Sequence, residues 1–458
     1  MAEHYDAAVI GAGQAGPPLA NRLGLAGKKV AMIERGRFGG TCVNTGCMPS
    51  KTMVASAYVA HLAARAADYG VMIGGRITTD MARVKARKDK VVNNASHNVE
   101  EWLKNTPNCT IYRGSARLTS PQGIEVGSQS LSADQIFLDV GASAIVPKIP
   151  GLEKIDFLTN DTIMDLDALP RHLLILGGSA IGLEFAQMFR RFGAEVTIIE
   201  AAPRLFSQED EDISAAIKEI VEAEGIRVHL EAKCTGVAKR GETIVAQLET
   251  KTGPGEVSGS HMLLAVGRKP NTDGLGLEAA GVARDTKGYI KVDDFLRTNV
   301  ASIYALGECN GHGPFTHTAY NDFEIMAANL LDGETRRISD RIVTYGLFID
   351  PPLGRVGMTE AEARAAGHKI LSGKRPMSRV GRAIEKGETQ GFMKVLVDAG
   401  TDKILGAVIL GTGGDEAIHC VTAMMYANQP YSVLKRAVQI HPTVSELIPT
   451  VLGDLKPL

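Results

Sequence analysis

Cys42 and Cys47 stand five positions apart in Gly39-Gly40-Thr41-Cys42-Val43-Asn44-Thr45-Gly46-Cys47-Met48-Pro49-Ser50-Lys51. Two sulfurs at this spacing could form a disulfide that opens and closes. In an undistorted α-helix their Cα atoms would lie roughly 7.5 Å apart along the axis, beyond the ~5.5–6 Å usual for a disulfide. The turn between them must be bent, and Gly46, with Pro49 disfavouring helical geometry at Met48, supplies the bend. A helical run over residues 52–67 follows, and the positive end of such a helix favours thiolate over thiol. Two rival readings stay open on this segment alone: half of a zinc site, and two unrelated core cysteines. Zinc needs a second close pair, and Cys109, Cys234, Cys309 and Cys420 are too scattered to supply one.

The elements around this segment are built for nucleotides. Residues 5–10 read as a buried parallel strand running into Gly11-Ala12-Gly13-Gln14-Ala15-Gly16, then a helix to about Ala26 and a strand over residues 29–33 ending in Glu34. Strand, Gly-x-Gly-x-x-Gly, helix, strand and acid is a dinucleotide fingerprint: the glycines let amides and a helix N-terminus approach a pyrophosphate, and the acid accepts from ribose hydroxyls. The pattern recurs. Residues 172–176 lead to Gly177-Gly178-Ser179-Ala180-Ile181-Gly182, a helix through Phe192, and a strand over residues 195–199 ending in Glu200. Two such units imply two nucleotides and electron transfer between them. Ser179 replaces the second glycine, and Glu200 favours NAD(H) because it repels a 2′-phosphate, although Arg204 is near.

A chain of 458 residues with 44% hydrophobic and 22% charged residues is globular in composition, with about three domains expected. A net charge of −2 leaves no footprint for nucleic acid. No apolar run is long enough to span a bilayer, and no signal-peptide pattern opens the chain, so we expect a cytoplasmic location. Six cysteines are too few for a disulfide-stapled scaffold.

Further along, residues 80–104 form a basic amphipathic helix whose charges read as a solvated face. Residues 109–140 read as a small antiparallel insert, and residues 226–266 again as strands. Residues 299–308 form a strand ending in Gly307-Glu308. From about Tyr345 strands alternate with helices near residues 359–366 and 415–427. The chain then reaches His441-Pro442-Thr443-Val444-Ser445-Glu446, where Thr443 to Glu446 has capping-box spacing.

The five motifs, in this order, resemble the class I flavoprotein disulfide reductases, the pyridine nucleotide-disulfide oxidoreductases that include dihydrolipoamide dehydrogenase, glutathione reductase and mercuric reductase. The likeness spans essentially the whole chain. The stretches at residues 210–214, 315–322 and 447–450 are most similar to the mercuric-reductase-like branch. The resemblance implies an α/β fold with two Rossmann-like dinucleotide-binding domains and a C-terminal α+β dimerisation domain: residues 1–146 with 273–342 for FAD, 147–272 for NAD(P), and 343–458 for a homodimer interface. Residues carried over for FAD are Gly11, Gly13, Gly16, Glu34, Gly40, Thr41, Lys51, Gly114, Ala116, Gly141, Glu308, His317 and Ala319. For NAD(H), with NADP(H) as the second possibility, they are Gly177, Ser179, Gly182, Glu200, Cys234 and Gly267.

The same resemblance implies that Cys47 faces the flavin as a thiolate, Cys42 attacks substrate, and Lys51 pairs with Glu184 beside the flavin. His441, oriented by Glu446, would act as acid/base for the partner subunit's redox pair. Glu308 stands where the family has aspartate, and Cys309 has no assigned role. No resident metal is expected. Electrons would pass from NADH through FAD to the Cys42–Cys47 disulfide and on to a small disulfide, an oxidant or a metal ion. The last cysteine is Cys420, so the C-terminal vicinal pair of mercuric reductase is missing. Dihydrolipoamide dehydrogenase is the alternative. A different class of answer is a flavin-binding electron-transfer subunit without a thiol substrate, against which the intact cysteine pair and His441 speak.

Overall fold

A computed structural model describes residues 2–458. The first sheet is built on the strand Glu3–Ile10, which runs parallel to Val30–Glu34 on one side and Gln129–Leu138 on the other. Towards their carboxyl ends these strands are continuously apolar, Ala7–Ile10, Val30–Ile33 and Ile136–Leu138, because there the sheet is covered on both faces. Their register carries the function: Ile10 pairs with Ile33 and with Leu138, and Leu138 with Ala305. Gly11, Glu34, Asp139 and Leu306 therefore all leave the sheet in one row at its carboxyl edge, where ligands of such sheets bind.

A second parallel sheet repeats the device. Its order is Arg227–His229, Glu195–Ile199, His172–Leu176, His261–Leu264, and Leu176 pairs with Ile199 and Leu264. Gly177, Glu200 and Ala265 share its carboxyl row. An antiparallel three-stranded sheet over Lys233–Arg240, Thr243–Thr250 and Gly253–Gly259 flanks it. The C-terminal part is a six-stranded antiparallel sheet from Thr344–Leu347 to Lys456–Pro457, carrying short helices. The α/β architecture with an α+β C-terminal part is thus the one expected.

Two local expectations are corrected. The redox helix does not wait for Thr52: it runs Cys47–Ala64, with Met48 helical and Pro49 in its first turn. First-turn amides have no intrahelical partner, so proline costs nothing there. Residues 109–140 are not one antiparallel insert either. Cys109–Arg113 runs parallel to Val30–Glu34, Gln129–Leu138 is central, and only Ala116–Leu118 and Gly123–Val126 are antiparallel additions. The continuous apolar run Ile136–Leu138 is that of a strand buried on both faces.

The redox helix packs through Met53 and Ala57 into the core of the second dinucleotide unit, against Leu183 and Phe189, and the same core reaches Phe392 and Leu410 of the C-terminal sheet. Burying Met53 almost completely contributes about 1.5–3 kcal/mol to this junction. Its far end is held by the C-terminal part as well: the Tyr58 hydroxyl donates to Glu388 at 2.8 Å, and Arg65 donates to the Gly387 carbonyl at 3.0 Å.

Candidate active site

Glycines anchor the cysteine segment to the first phosphate loop. Gly39 and Gly40 have φ of +98° and +59°. The Gly39 amide donates to the Ala12 carbonyl at 2.8 Å, and Gln14 Nε2 donates to the Gly39 carbonyl at 2.9 Å. A Cβ on Gly40 would come within 2.8 Å of the Gly13 Cα, so neither position has room for a side chain. The chain makes a short helix, Gly40–Asn44, breaks at Thr45-Gly46, and restarts at Cys47. A Cβ on Gly46 would meet the Thr41 carbonyl at 2.9 Å, which is why the break takes glycine.

Both cysteines are free, and the hydrogen bond between them pushes the two thiols in opposite directions. Cys47 is held below the usual thiol range, first by the hydrogen bond from Cys42, then by the Thr316 hydroxyl 3.1 Å from its sulfur and by the Lys51 charge. Desolvation and the charge of Glu184 oppose these. Cys42 is raised, because it is the donor in that hydrogen bond and because it is partly buried. The arrangement makes Cys47 the thiolate and Cys42 the thiol. Cys47 is the first residue of its helix and Thr316 the first of the helix Thr316–Leu331, so two helix N-termini add to the preference for negative charge.

Lys51, one turn along the redox helix, donates to Glu184 Oε2 at 2.6 Å and lies 4.5 Å from the Phe348 ring centroid. Glu184 is 8% exposed and also accepts from the Phe348 amide at 3.0 Å. One contact thereby joins the redox helix, the helix after the second glycine loop, and the C-terminal sheet.

These groups line a single cavity of about 1810 Å³, larger than the roughly 300–1,000 Å³ of ordinary ligand pockets. It takes in both phosphate loops, both cysteines and nearly all the residues expected to hold cofactors. Gly16 and Gly182 are absent from its wall: each packs behind its loop, where a Cβ would strike the Gly11 and Gly177 carbonyls. The residues present fit two dinucleotides. Glu34 bridges the Ala12 and Gly36 amides at 2.7 and 2.6 Å at the end of its strand, and Glu200 bridges Gly178 and Ala202 in the same way at 2.6 and 2.7 Å. Gly141, with φ of +63°, has open space where a side chain would stand. Ser179 has φ of −93° and ψ of −173°, ordinary extended backbone, so serine serves there without strain.

Glu308 lines the cavity, and its carboxylate accepts from Arg268 Nε at 2.8 and 3.1 Å. The longer side chain thus ends on an arginine at the junction of the two dinucleotide units. His317, whose Nε2 lies 2.7 Å from the Thr344 carbonyl, is held below the usual histidine range by burial. Cys234 is on the wall with its thiol directed at the Gly236 carbonyl. Cys309 is fully buried, its thiol pushed up to about 12 by burial, and is inert as a nucleophile.

His441 and Glu446 lie away from the cavity. The Glu446 carboxylate is 2.9 Å from His441 Nδ1, while its amide donates to the Thr443 hydroxyl at 3.2 Å, so only half of the anticipated capping box forms and the acid serves the histidine. The His441 side chain is 80% exposed, among exposed Val438 and Ile440. Arg382 donates to the Pro442 carbonyl at 2.6 Å and so pins this turn.

Three further residues belong to the site without a motif to mark them. Thr316 lies in the stretch 315–322 but is 269 positions from Cys47. Asp139, an acid directly after a buried apolar strand, carried a legible signal. Arg382 carried none. Among the described residues no group of three or more His, Cys, Asp or Glu is arranged to hold a metal ion, and no helix is long and apolar enough to cross a membrane.

Comparison with known proteins gives a consistent picture. Residues 5–322 match the pyridine nucleotide-disulphide oxidoreductase family and residues 343–452 its dimerisation domain. The probable pyridine nucleotide-disulfide oxidoreductase RclA of Escherichia coli is 36% identical, over 99% of both chains. A mercuric reductase of Streptomyces lividans is 34% identical over 97% of this chain and 94% of its own. Among solved structures, a Cu(II) complex of the HOCl-induced flavoprotein disulfide reductase RclA from Escherichia coli superposes with a TM-score of 0.88, at 35% identity, over 98% of this chain and 99% of that one.

Proposed function

The chain belongs to the pyridine nucleotide-disulphide oxidoreductase family, and we propose that in this FAD-dependent, NAD(P)H-driven enzyme Cys42 and Cys47 are the redox pair that reduces a small oxidant or a thiophilic metal ion. The observation that carries the reading is the pair itself: thiol and thiolate hydrogen-bonded to each other, on the wall of a cavity that also holds both dinucleotide loops. When bound, FAD accepts the reducing equivalents of NAD(P)H and delivers them to the disulfide. The protein's own part is charge control. Lys51 and Thr316 stabilise negative charge on Cys47, while Cys42 keeps the proton until substrate arrives and then attacks it.

Oxidation of the dithiol back to the disulfide releases two electrons and two protons. That balances one disulfide becoming two thiols, one Hg(II) becoming Hg(0), or two Cu(II) becoming two Cu(I). Soft thiolates select such ions. Relatives named for mercuric ion and a structural neighbour in complex with Cu(II) support the metal-ion arm, and the neighbour's induction by HOCl supports the oxidant arm.

The proposal includes a homodimer, in which His441 of one copy serves the cysteine pair of the other with Glu446 orienting it. The dimerisation-domain match and the outward position of His441 support this. It also includes the domain division 1–146 with 273–342, 147–272 and 343–458, and a cytoplasmic setting. The test is Cys42→Ser, which is expected to abolish NADH oxidation coupled to Cu(II), Hg(II) or disulfide while NADH still bleaches the flavin. Unchanged turnover overturns the proposal. Mixing Cys42→Ser and His441→Ala chains should restore part of the activity if the histidine acts in trans, and restore none if it acts within its own chain.

A further inference from the structure

Asp139 is a buried acid set into the phosphate cradle. It follows the strand Gln129–Leu138, is 6% exposed, and lines the cavity. Its Oδ2 accepts from the Gly16 amide at 2.7 Å and the Ala15 amide at 3.2 Å, the opening amides of the helix behind the first glycine loop. Both oxygens are hemmed in by glycines of two motifs: a Cβ on Gly13 would lie 2.7 Å from Oδ2, and one on Gly307 would lie 3.0 Å from Oδ1. The carboxyl cannot swing away to solvent.

The surroundings offer it no counter-charge. Glu34 faces it from the end of the neighbouring strand, and Asp322 from the helix Thr316–Leu331. The Cys309 thiol faces it from the turn Gly307–Asn310, where burial keeps that thiol protonated. The loop Gly11–Gly16 contributes no ionisable group. Arg341 is already paired with Asp322, which also accepts from the Gly307 amide at 2.8 Å and Asn310 Nδ2 at 2.9 Å. Burial pushes the Asp139 carboxyl up to about 8 in spite of its two amide donors.

A glycine loop and helix N-terminus of this kind bind a dinucleotide through its diphosphate. Here two of the helix amides are already taken by a carboxyl group, and a diphosphate brings further negative charge into the same poorly hydrated space. We propose that Asp139 is a cofactor-holding residue that accepts FAD only in its neutral form, so that FAD retention is coupled to one proton. On the alkaline side the balance is carboxylate apoenzyme plus H⁺ plus FAD giving carboxylic-acid holoenzyme, with the proton released again when FAD leaves. No electron transfer is involved. The inference rests on FAD binding alone and not on the roles given to the cysteines.

The sign follows from linkage. Below the apoenzyme value the acid is already protonated and FAD affinity is level with pH. Above it, each pH unit weakens FAD binding about tenfold. The experiment dilutes the holoenzyme at a series of pH values and reads released FAD by its fluorescence. Wild type is expected to show a level acid limb and a tenfold-per-unit alkaline limb. Asp139→Asn keeps an acceptor for the two amides without the charge, and should flatten the alkaline limb. If wild type and Asp139→Asn follow the same pH profile, the proposal is overturned. Should Asp139→Asn fail to fold, wild type alone decides: with a pH indicator in weak buffer, FAD release on the alkaline limb must liberate one proton per flavin, and release without a proton refutes it.

Discussion

Replacing Thr316 with valine removes the hydroxyl that stands 3.1 Å from the Cys47 sulfur while keeping the side chain's shape. A hydrogen bond to a charged group is worth about 1.5–3 kcal/mol net, and about 1.4 kcal/mol corresponds to one pH unit of midpoint. The full value would therefore move the Cys47 midpoint up by about 1–2 pH units. Cys47 is exposed to the cavity, so solvent compensates in part, and the expectation is about 1 unit. The direction is upward because the lost donor favours the thiolate over the thiol. The assay is alkylation of the reduced enzyme by iodoacetamide across pH, with the Cys47 peptide quantified by mass spectrometry. Near neutrality the valine variant should react several-fold more slowly at Cys47, converging with wild type at high pH, while Thr316→Ser should behave as wild type. An unchanged midpoint, or a downward shift, would refute the assignment of Thr316 as the thiolate's donor.

Other outcomes follow from the same geometry. Lys51→Met should raise the Cys47 midpoint and Glu184→Gln should lower it, because the two charges act on that sulfur in opposite senses; the same alkylation profile reads both. In urea unfolding Lys51→Met should be the more damaging of the two, by about 1–2 kcal/mol, since it strands a carboxylate that is 8% exposed whereas Glu184→Gln leaves a partly exposed lysine. Arg382→Ala should cut steady-state turnover about tenfold, the equivalent of one charge-assisted hydrogen bond to the Pro442 carbonyl, and leave the rate of flavin reduction by NADH unchanged; stopped-flow separates the two, and Arg382→Lys should recover part of the loss. Glu200→Gln should raise kcat/KM for NADPH relative to NADH about tenfold, because it removes the charge that repels a 2′-phosphate while keeping an acceptor for Gly178 and Ala202.

Much of the site is legible in the sequence. The two glycine loops, Glu34, Glu200 and the cysteine pair were readable because each is a local device, whose residue types and spacing contain its geometry. Glycine where backbones touch and acid at a strand's end need no distant information. The departures that looked awkward in isolation resolved locally as well: Ser179 occupies ordinary extended backbone, and Pro49 sits where a helix tolerates it. Pro49 also shows how a local rule misleads, since its effect on Met48 depends on where the helix begins.

By itself the sequence determined that two nucleotide-binding βαβ units flank a redox-capable pair of sulfurs, each unit ending in an acid at its second strand. Only the tertiary structure brought Thr316, 269 positions away in sequence, to 3.1 Å from the Cys47 sulfur and set Lys51 against Glu184 beside it. It likewise decided that Asp139 is buried under the first phosphate loop, through a register that aligns Leu138 with Ile10, and that Arg382 grips the His441 turn. Spacing along a chain encodes what neighbours can do to one another. The field at an atom is instead the sum over everything packed around it, and that sum exists only once strands have found their register and helices their partners.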